Sequence, residues 1–303
     1  MDAPALTAIT ARIATPPAAV RRLAADYLEL TKPKVQSLLL LTTITTMEVA
    51  GSPPLSKIAL TCLGGYLSAG GAGAVNHFLD RDIDVRMRRT ASRPIPAGRI
   101  APRSALLFGL ALAALSFALL SLTVNVLAAS LSLAGFIGYV GVYTMALKRR
   151  TPQNIVIGGA AGAVPPLVGW AATRGSLGWT AGYLFAIVFY WTPPHFWSLS
   201  LLMKDEYARA GIPMMPVVRG EHETRRQILL YTLLLYAISQ LPFCAGAFGG
   251  MYLAASMALG LAFVAGAIWL YRRADRQTAL RLYLFSLAYL ALLFCAMVAD
   301  VHL

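Results

Sequence analysis

Three oxygen-bearing side chains recur at intervals of four residues where a long apolar segment ends. They are Asn76, Asp80 and Asp84. On a continuing helix, each would lie about 40° around the axis from the one before, and the three would form a stripe roughly 12 Å long. Asp82 falls on the opposite side, where we expect it to pair with a neighbouring arginine. We refer to Asn76, Asp80 and Asp84 as the acidic stripe.

The acidic stripe requires compensation by a cation. Carboxylates at the C-terminal end of a helix meet the negative end of its dipole and also repel one another. A small set of oxygen ligands suits Mg²⁺, which takes one or two carboxylates, waters and the oxygens of a substrate phosphate. Arg88 and Arg93, just downstream, could hold the same phosphates. The pattern favours a metal-diphosphate site over solvated surface charges.

A second group of candidate residues begins inside a later apolar run and continues past its end. His195 and Trp197 lie within that run, and Lys204, Asp205 and Tyr207 follow it. An ionisable residue inside a membrane segment is a functional candidate by default. We interpret His195 as facing a substrate, the alternative being a hydrogen-bonded structural histidine. Because this run also ends in acid and base, we expect both groups to border one cavity.

Other residues near these groups have two interpretations each. Lys148 and Arg149 are either ordinary charges of a cytosolic loop or further phosphate ligands. Lys32 most simply anchors a helix end at the lipid headgroups. The glycines that precede Asn76 allow close helix packing or form one wall of a substrate site. A later run contains two adjacent prolines, which we expect to break or bend its helix.

The elements that must position these residues are membrane helices. The chain has 303 residues, 58% of them hydrophobic and 13% charged, with a mean hydropathy of +0.64, which excludes an ordinary soluble domain. We predict an all-α polytopic membrane protein with about nine transmembrane helices around a central cavity that opens near the cytosolic face. The apolar runs are 35–50, 58–78, 104–122, 124–147, 155–172, 179–203, 227–248, 251–271 and 279–299.

The distribution of positive charge predicts the orientation. With nine spans, 24 of the 26 lysines and arginines fall in the N-terminal segment and alternate loops, and only Lys57 and Arg174 fall on the other side. This asymmetry predicts a cytosolic N-terminus and a C-terminus outside. Because the basic residues are spread over short loops, the chain's pI of 10.0 does not indicate nucleic-acid binding.

We expect a single membrane domain after a short leading segment. Residues 1–30 are predicted to be a cytosolic N-terminal segment, and residues 31–303 to form one transmembrane domain. The first thirty residues contain no apolar core preceded by positive charge, so we expect insertion through the first span, without a cleavable signal.

The motifs resemble those of the UbiA superfamily of intramembrane prenyltransferases. The resemblance rests on the acidic stripe, the arginine-rich loop after it and the second acidic helix end. Two further segments, Pro194-His195-Phe196-Trp197 and Lys204-Asp205-Glu206-Tyr207, resemble the haem-farnesylating branch of that superfamily.

The resemblance implies a reaction and a set of site residues. It implies transfer of a farnesyl group from farnesyl diphosphate to a vinyl group of haem B, giving haem O, in the bilayer of a bacterial-type plasma (inner) membrane. It assigns catalysis to Asp80, Asp84, Asp205 and Lys204, with Mg²⁺ as cofactor held by the three acids and Asn76. It also allows a haem-pathway membrane enzyme as a partner. The residues that it assigns to substrate binding are Asn76, Arg88, Arg93, Lys148, Arg149, His195, Trp197 and Tyr207.

One departure from the family pattern leaves alternatives open. Many superfamily members carry a second aspartate four residues after the first in the later motif, and this chain has Arg209 there. The number of Mg²⁺ ions therefore stays open. A second candidate reaction is prenylation of a small aromatic such as 4-hydroxybenzoate. A third candidate is a secondary transporter, whose site would usually lie near the membrane midplane.

Overall fold

The computed structural model describes residues 18–303, and every regular element within them is a helix. Residues 1–17, which belong to the predicted N-terminal segment, lie outside this description. The first elements are α1 (Ala18–Leu30), α2 (Pro33–Gly51), α3 (Leu55–Leu79), α4 (Arg81–Asp84), α5 (Pro102–Thr123), α6 (Val126–Ile137), a π-helix (Gly138–Leu147), α7 (Asn154–Gly162) and α8 (Val164–Arg174). The others are α9 (Trp179–Leu202), α10 (Lys204–Arg209), α11 (Met215–Val218), α12 (Gly220–Cys244), α13 (Gly250–Arg273) and α14 (Arg276–His302). The predicted all-α fold is confirmed.

Seven helical stretches in residues 18–303 are long and apolar enough to cross a membrane. They are α3, α5, α6 with the π-helix, α7 with α8, α12, α13 and α14. The remaining two predicted runs form α2 and α9, which fall outside these seven. Helix α2 carries Glu48 and four threonines among its 19 residues, and α9 carries a histidine, two prolines and many aromatic side chains. The chain is an integral membrane protein.

Glycines bring α3 and α5 into direct backbone contact. A Cβ atom added at Gly71 would lie 2.6 Å from the carbonyl oxygen of Gly109, and one added at Gly109 would lie 2.7 Å from that of Gly71. Ser116 on α5 also donates a hydrogen bond to the carbonyl of Gly64, at 2.7 Å. Small residues allow such an approach between membrane helices. At Gly64, Gly71 and Gly109, close packing is therefore the observed use of the small side chain.

The junction between α1 and α2 lies against the same helix α3. A Cβ atom at Gly73 would lie 2.9 Å from the carbonyl oxygen of Leu30, which is fully buried. Helix α1 is held by an ion pair of 2.8 Å between Asp26 and Arg99, the latter in the loop that follows α4. Helix α1 thus packs on the membrane domain, although the predicted boundary separates them at residue 30.

Helices α2 and α9 each pack against both early and late helices of the chain. Helix α2 contacts α3, α8 and α14, and α9 contacts α7, α8, α12 and α14. The largest buried cluster lies between α9, α12, α13 and α14 and includes Trp197, Tyr252 and Tyr289. The hydroxyl groups of Ser239 and Tyr289 lie 2.8 Å apart there, whereas Nε1 of Trp197 is buried without a hydrogen-bond partner among residues 18–303.

Proline has different effects in two helices. The helix is interrupted at Ala163, between α7 and α8, just before Pro165 and Pro166, as predicted. Helix α9 instead continues through Pro193 and Pro194 to Leu202. His195 therefore lies within one uninterrupted helix.

Candidate active site

The acidic stripe lies at the end of α3, where the helix is interrupted by a single residue. Asp80 has φ −93° and ψ 5° and links α3 to the short α4. Its N–H donates to the carbonyl of Asn76 at 2.9 Å, and the N–H of Asp84 donates to the carbonyl of Asp80 at 2.8 Å. The hydrogen bonds between residues four apart thus continue across the interruption. All three stripe side chains are buried, with at most 3% of each residue exposed.

Asp80 is the most buried acid of the stripe, and its two oxygens differ. Oδ2 accepts hydrogen bonds from the amide of Asn76 at 2.7 Å and from Lys148. Oδ1 is buried and has no hydrogen-bond partner among residues 18–303, and Arg149 Nη2 lies 3.9 Å from it. One carboxylate oxygen is therefore available for a further ligand.

Asp84 pairs with the arginine-rich loop that follows α4. Arg93 Nη1 donates to both carboxylate oxygens of Asp84, each at 2.8 Å. Thr90 donates its hydroxyl to the backbone carbonyl of Asp84 at 2.9 Å, which folds the loop back onto α4. Arg88, in the same loop, is exposed. Of the two predicted arginine ligands, the structure brings Arg93 to the stripe.

Asp82 lies on the opposite side from the stripe and pairs with an arginine, as predicted. Arg149 donates two hydrogen bonds to its carboxylate, at 2.7 and 2.8 Å, and a third to the backbone carbonyl of Leu79 at 2.7 Å. The hydrogen bond with Arg149 lowers the pKa of Asp82 and raises the pKa of Arg149. This pair is largely exposed, and it ties α4 to the loop after the π-helix.

The π-helix ends at this site and determines where Lys148 lies. The N–H of Lys148 donates to the carbonyl of Tyr143 at 2.8 Å, five residues earlier, and Thr144 donates its hydroxyl to the carbonyl of Tyr139 at 2.9 Å. Thr144 also accepts a hydrogen bond of 3.3 Å from Asn76. Such wide helical turns are frequent at functional sites.

Lys32 is a member of this site that the sequence interpretation missed. Its Nζ donates to Oδ1 of Asn76 at 2.6 Å and lies 5.9 Å from the ring centre of Tyr139. Burial, followed by the charges of Arg93 and Lys148, lowers the pKa of Lys32 to about 7. The expectation of a headgroup anchor is wrong for Lys32, because its side chain turns inward to the stripe. In the sequence, the segment Leu30-Thr31-Lys32-Pro33 also resembles the haem-farnesylating branch, and that resemblance was the signal available for Lys32.

His77 is a second buried polar residue beside the stripe. It is 1% exposed, and neither of its ring nitrogens has a hydrogen-bond partner within residues 18–303. Buried polar groups are nearly always paired, so an unpaired one needs a local reason.

The second predicted group is only partly brought to the stripe. Tyr207 is buried, which raises its pKa, and the nearby charges of Arg89 and Lys148 act in the opposite direction. Lys204 instead donates to Glu221 at 2.9 Å on the surface, and Asp205 is exposed. Within the part of the chain that the structure describes, no three His, Cys, Asp or Glu side chains form a group that could hold a metal ion.

His195 and Trp197 lie in the packed interior of α9. Nδ1 of His195 lies 2.7 Å from the hydroxyl of Ser286, and its ring stacks on those of Trp191 and Tyr283, with centres 4.3 and 4.8 Å apart. Trp197 is fully buried. This geometry matches the alternative of a hydrogen-bonded structural histidine, and a substrate contact by either residue stays a prediction.

Two cavities lie away from the acidic stripe. One of about 160 Å³ is lined by residues that include Leu201, Arg225 and Asp275, and one of about 430 Å³ is lined by residues that include Leu167 and Trp179. Neither has a stripe residue in its lining. The predicted central cavity is therefore not among them.

Comparison with known proteins identifies relatives over most of the chain. A model described as the UbiA prenyltransferase family matches residues 38–293. A protein named protoheme IX farnesyltransferase from Chloroflexus aurantiacus is 54% identical over 282 residues, which cover 92% of this chain and 48% of the relative. One of the same name from Marinobacter nauticus is 52% identical over 277 residues, covering 91% of this chain and 92% of the relative. The chain thus spans about half the length of some curated relatives, the Chloroflexus protein among them, and nine-tenths of others.

Solved structures share the arrangement of helices. A structure described as digeranylgeranylglyceryl phosphate synthase has a TM-score of 0.76 and 19% identity, covering 92% of this chain and 99% of the other. A UbiA homologue from Archaeoglobus fulgidus bound to DMAPP and Mg²⁺ has a TM-score of 0.68 and 17% identity, covering 90% and 99%. At these identities the likeness establishes a common fold.

Proposed function

This chain belongs to the UbiA prenyltransferase family, and from that premise we propose that it transfers a farnesyl group from farnesyl diphosphate to a vinyl group of haem B, giving haem O and diphosphate. The observation that carries the proposal is the identity of 52–54% with proteins named protoheme IX farnesyltransferase, over nine-tenths of this chain. The buried cluster of acids and cations at the end of α3 supports it, because it offers both kinds of ligand that a metal-diphosphate needs.

The residues of the acidic stripe fit Mg²⁺. All the donors are oxygens, and Oδ1 of Asp80 is buried without a hydrogen-bond partner among the described residues. With Asp84 and Asn76, Asp80 would hold the ion, and since no three His, Cys, Asp or Glu side chains form a metal-holding group in residues 18–303, coordination positions would remain for water and phosphate oxygens. Bound Mg²⁺ would supply positive charge opposite the leaving diphosphate. The Archaeoglobus homologue, bound to DMAPP and Mg²⁺, supports this assignment.

The cations that now pair with the stripe would bind the diphosphate. Lys148 donates to Asp80 and Arg93 donates to Asp84, so the acids and the phosphate-binding residues neutralise each other before substrate arrives. When the acids turn to the metal, these cations can donate to phosphate oxygens. Arg149 and Arg88 would lie at the outer edge of the same diphosphate-binding site. Fixed donors aimed at a leaving group are typically the largest contribution to catalysis.

The proposed reaction makes a carbon–carbon bond and then adds water. The bond between C1 of the farnesyl chain and the diphosphate oxygen breaks, and its electron pair leaves with the diphosphate. The terminal vinyl carbon of haem B bonds to C1, and the resulting cation on the adjoining carbon is captured by water, which loses a proton. Apolar walls between the helices would keep other water away from the cation.

Several finer features belong to the same proposal. Helices α2 and α9 would complete nine crossings around a cavity that opens at the cytosolic face, with the N-terminus inside, the C-terminus outside and the chain in a bacterial-type plasma membrane. The asymmetry of positive charge supports the orientation. His195, Trp197 and Tyr207 would offer contact area to haem B, and Lys204 and Asp205 would close the diphosphate site from α10. A haem-pathway membrane enzyme would be the natural supplier or acceptor of haem.

The test is to incubate the purified protein with Mg²⁺, labelled farnesyl diphosphate and either haem B or 4-hydroxybenzoate. We expect label to appear on haem, with a mass gain of one farnesyl group plus one hydroxyl group. Label on hydroxybenzoate alone would replace haem with a small aromatic acceptor. Solute uptake by proteoliposomes, without release of diphosphate, would instead indicate a transporter.

A further inference from the structure

Lys32 has a backbone conformation that is costly for its residue type. Its φ of 54° and ψ of 55° are left-handed, and the next residue is Pro33, the first residue of α2. A non-glycine residue in this region is strained and persists only where the surrounding structure fixes it. Residues held in this way are concentrated at functional sites.

The neighbouring residues fix the strained segment onto α3. Thr31 donates its hydroxyl to the carbonyl of Leu28 at 2.8 Å, and Gln36 donates its amide to the carbonyl of Thr31. A Cβ atom at Gly70 would lie 3.0 Å from Cβ of Thr31. The segment therefore packs directly against α3. As a consequence, the side chain of Lys32 reaches Asn76.

The charge around Lys32 is unbalanced. Arg93 and Lys148 each have an aspartate of the stripe, whereas the one hydrogen-bond acceptor of Lys32 in residues 18–303 is the neutral amide of Asn76. When Lys32 is protonated, three partly buried cations face Asp80 and Asp84, which leaves one net positive charge in the cluster. Removing a cation even partly from water without an anion is unfavourable. The arrangement is suited to a ligand that carries the missing negative charge.

We propose that Lys32 is a diphosphate-binding residue of this site, whose Nζ leaves Asn76 and donates to the phosphate oxygens of the prenyl substrate. The proposal rests on the proposed function for the identity of that substrate. Lys32 approaches from α2, whereas Arg93 and Lys148 approach from the loops after α4 and the π-helix. The diphosphate is then held by cations from three separate elements, and release of Asn76 frees its amide oxygen for the metal.

The test uses Lys32→Met, with Lys34→Met as matched control because Lys34 is exposed two residues away. The affinity for inorganic pyrophosphate in saturating Mg²⁺ is measured by calorimetry on the purified full chain, and the affinity for Mn²⁺ alone is measured by electron paramagnetic resonance. We expect Lys32→Met to weaken pyrophosphate binding about 10- to 100-fold, the effect of losing one charge-assisted hydrogen bond. We expect Mn²⁺ to bind more tightly, because a like charge is removed and Asn76 is freed.

Each other outcome has a definite meaning. Unchanged pyrophosphate affinity in Lys32→Met, or an equal loss in Lys34→Met, would overturn the assignment of Lys32. Weaker Mn²⁺ binding would also overturn it, since that result indicates a residue that only orients Asn76. Lys32→Arg keeps the charge and is expected to retain most of the affinity, which checks the assignment if Lys32→Met folds poorly. If pyrophosphate binding depends on Lys32 but no label reaches haem, the proposed function fails and the Lys32 site stands.

Discussion

Replacing Lys148 with methionine would leave a buried carboxylate without its closest cation. Asp80 is 1% exposed, and Lys148 is the one cation within hydrogen-bond distance of it among residues 18–303. The amide of Asn76 would remain at 2.7 Å and Arg149 at 3.9 Å. Methionine keeps the length and apolar stem of the lysine side chain, so the main change is the lost charge.

The magnitude follows from the burial of the pair. Removing one partner of a buried ion pair costs about 3–5 kcal/mol, since the other charge stays buried without compensation. For a chain of this size, that loss corresponds to a decrease in Tm of about 5–8 °C. Arg149→Met breaks an ion pair with Asp82, which is largely exposed, and is expected to cost at most about 1 kcal/mol. The contrast isolates burial as the cause.

The assay is thermal unfolding of the purified protein in detergent without added metal, combined with farnesyl transfer. We expect Lys148→Met to lower the Tm, and the double variant Asp80→Asn with Lys148→Met to restore most of it, since both charges are then absent. We expect farnesyl transfer to be lost in both the single and the double variant. If Lys148→Met changes the Tm no more than Arg149→Met does, or if the double variant is no more stable than the single one, the reasoning from a buried charge pair is refuted.

Three further predictions concern packing, pH and catalysis. Gly71→Ala should lower the Tm by several degrees, because its Cβ would lie 2.6 Å from a backbone carbonyl of α5, whereas Gly65→Ala, with no atom within 4 Å of its Cβ, should not; equal effects would contradict the close packing. The lowered pKa of Asp82 means that its pair with Arg149 stabilises the fold above the unfolded pKa, and that this stabilisation is lost as the pH falls through the folded pKa. The Tm difference between wild type and Asp82→Asn should therefore shrink in acid. A Tm difference that grows in acid would contradict this prediction. Asp80→Asn should reduce farnesyl transfer about 10²- to 10³-fold with normal expression in membranes, and retained turnover would remove Asp80 from the site.

The sequence predicted relations within one helix better than relations between helices. The four-residue spacing put Asn76, Asp80 and Asp84 on one side and Asp82 on the other, and the structure agrees, because helical periodicity fixes directions over a few turns. It did not reveal that Lys32 contacts Asn76, which lies 44 residues away. That contact depends on a left-handed residue before a proline, a conformation that residue preferences disfavour.

Partners in the second motif were equally hard to predict. Lys204 and Asp205 are adjacent in sequence, but Lys204 donates a hydrogen bond to Glu221, whereas Asp205 is exposed. His195 finds Ser286 at a separation of 91 residues. Which helices meet is decided by packing of the whole bundle, and local sequence patterns carry little of that information.

The π-helix before Lys148 gives the site a sensitivity to chain length. Its turns each use one residue more than α-helical turns, so the direction in which Lys148 leaves the helix depends on the number of residues from Gly138 to Leu147. Deleting one of these residues would let the segment relax toward an α-helix and rotate Lys148 away from Asp80. Every motif residue would still be present in such a sequence. A relative can therefore keep the full set of motif residues and still lose the site by a single deletion in a segment that contributes no charged side chain.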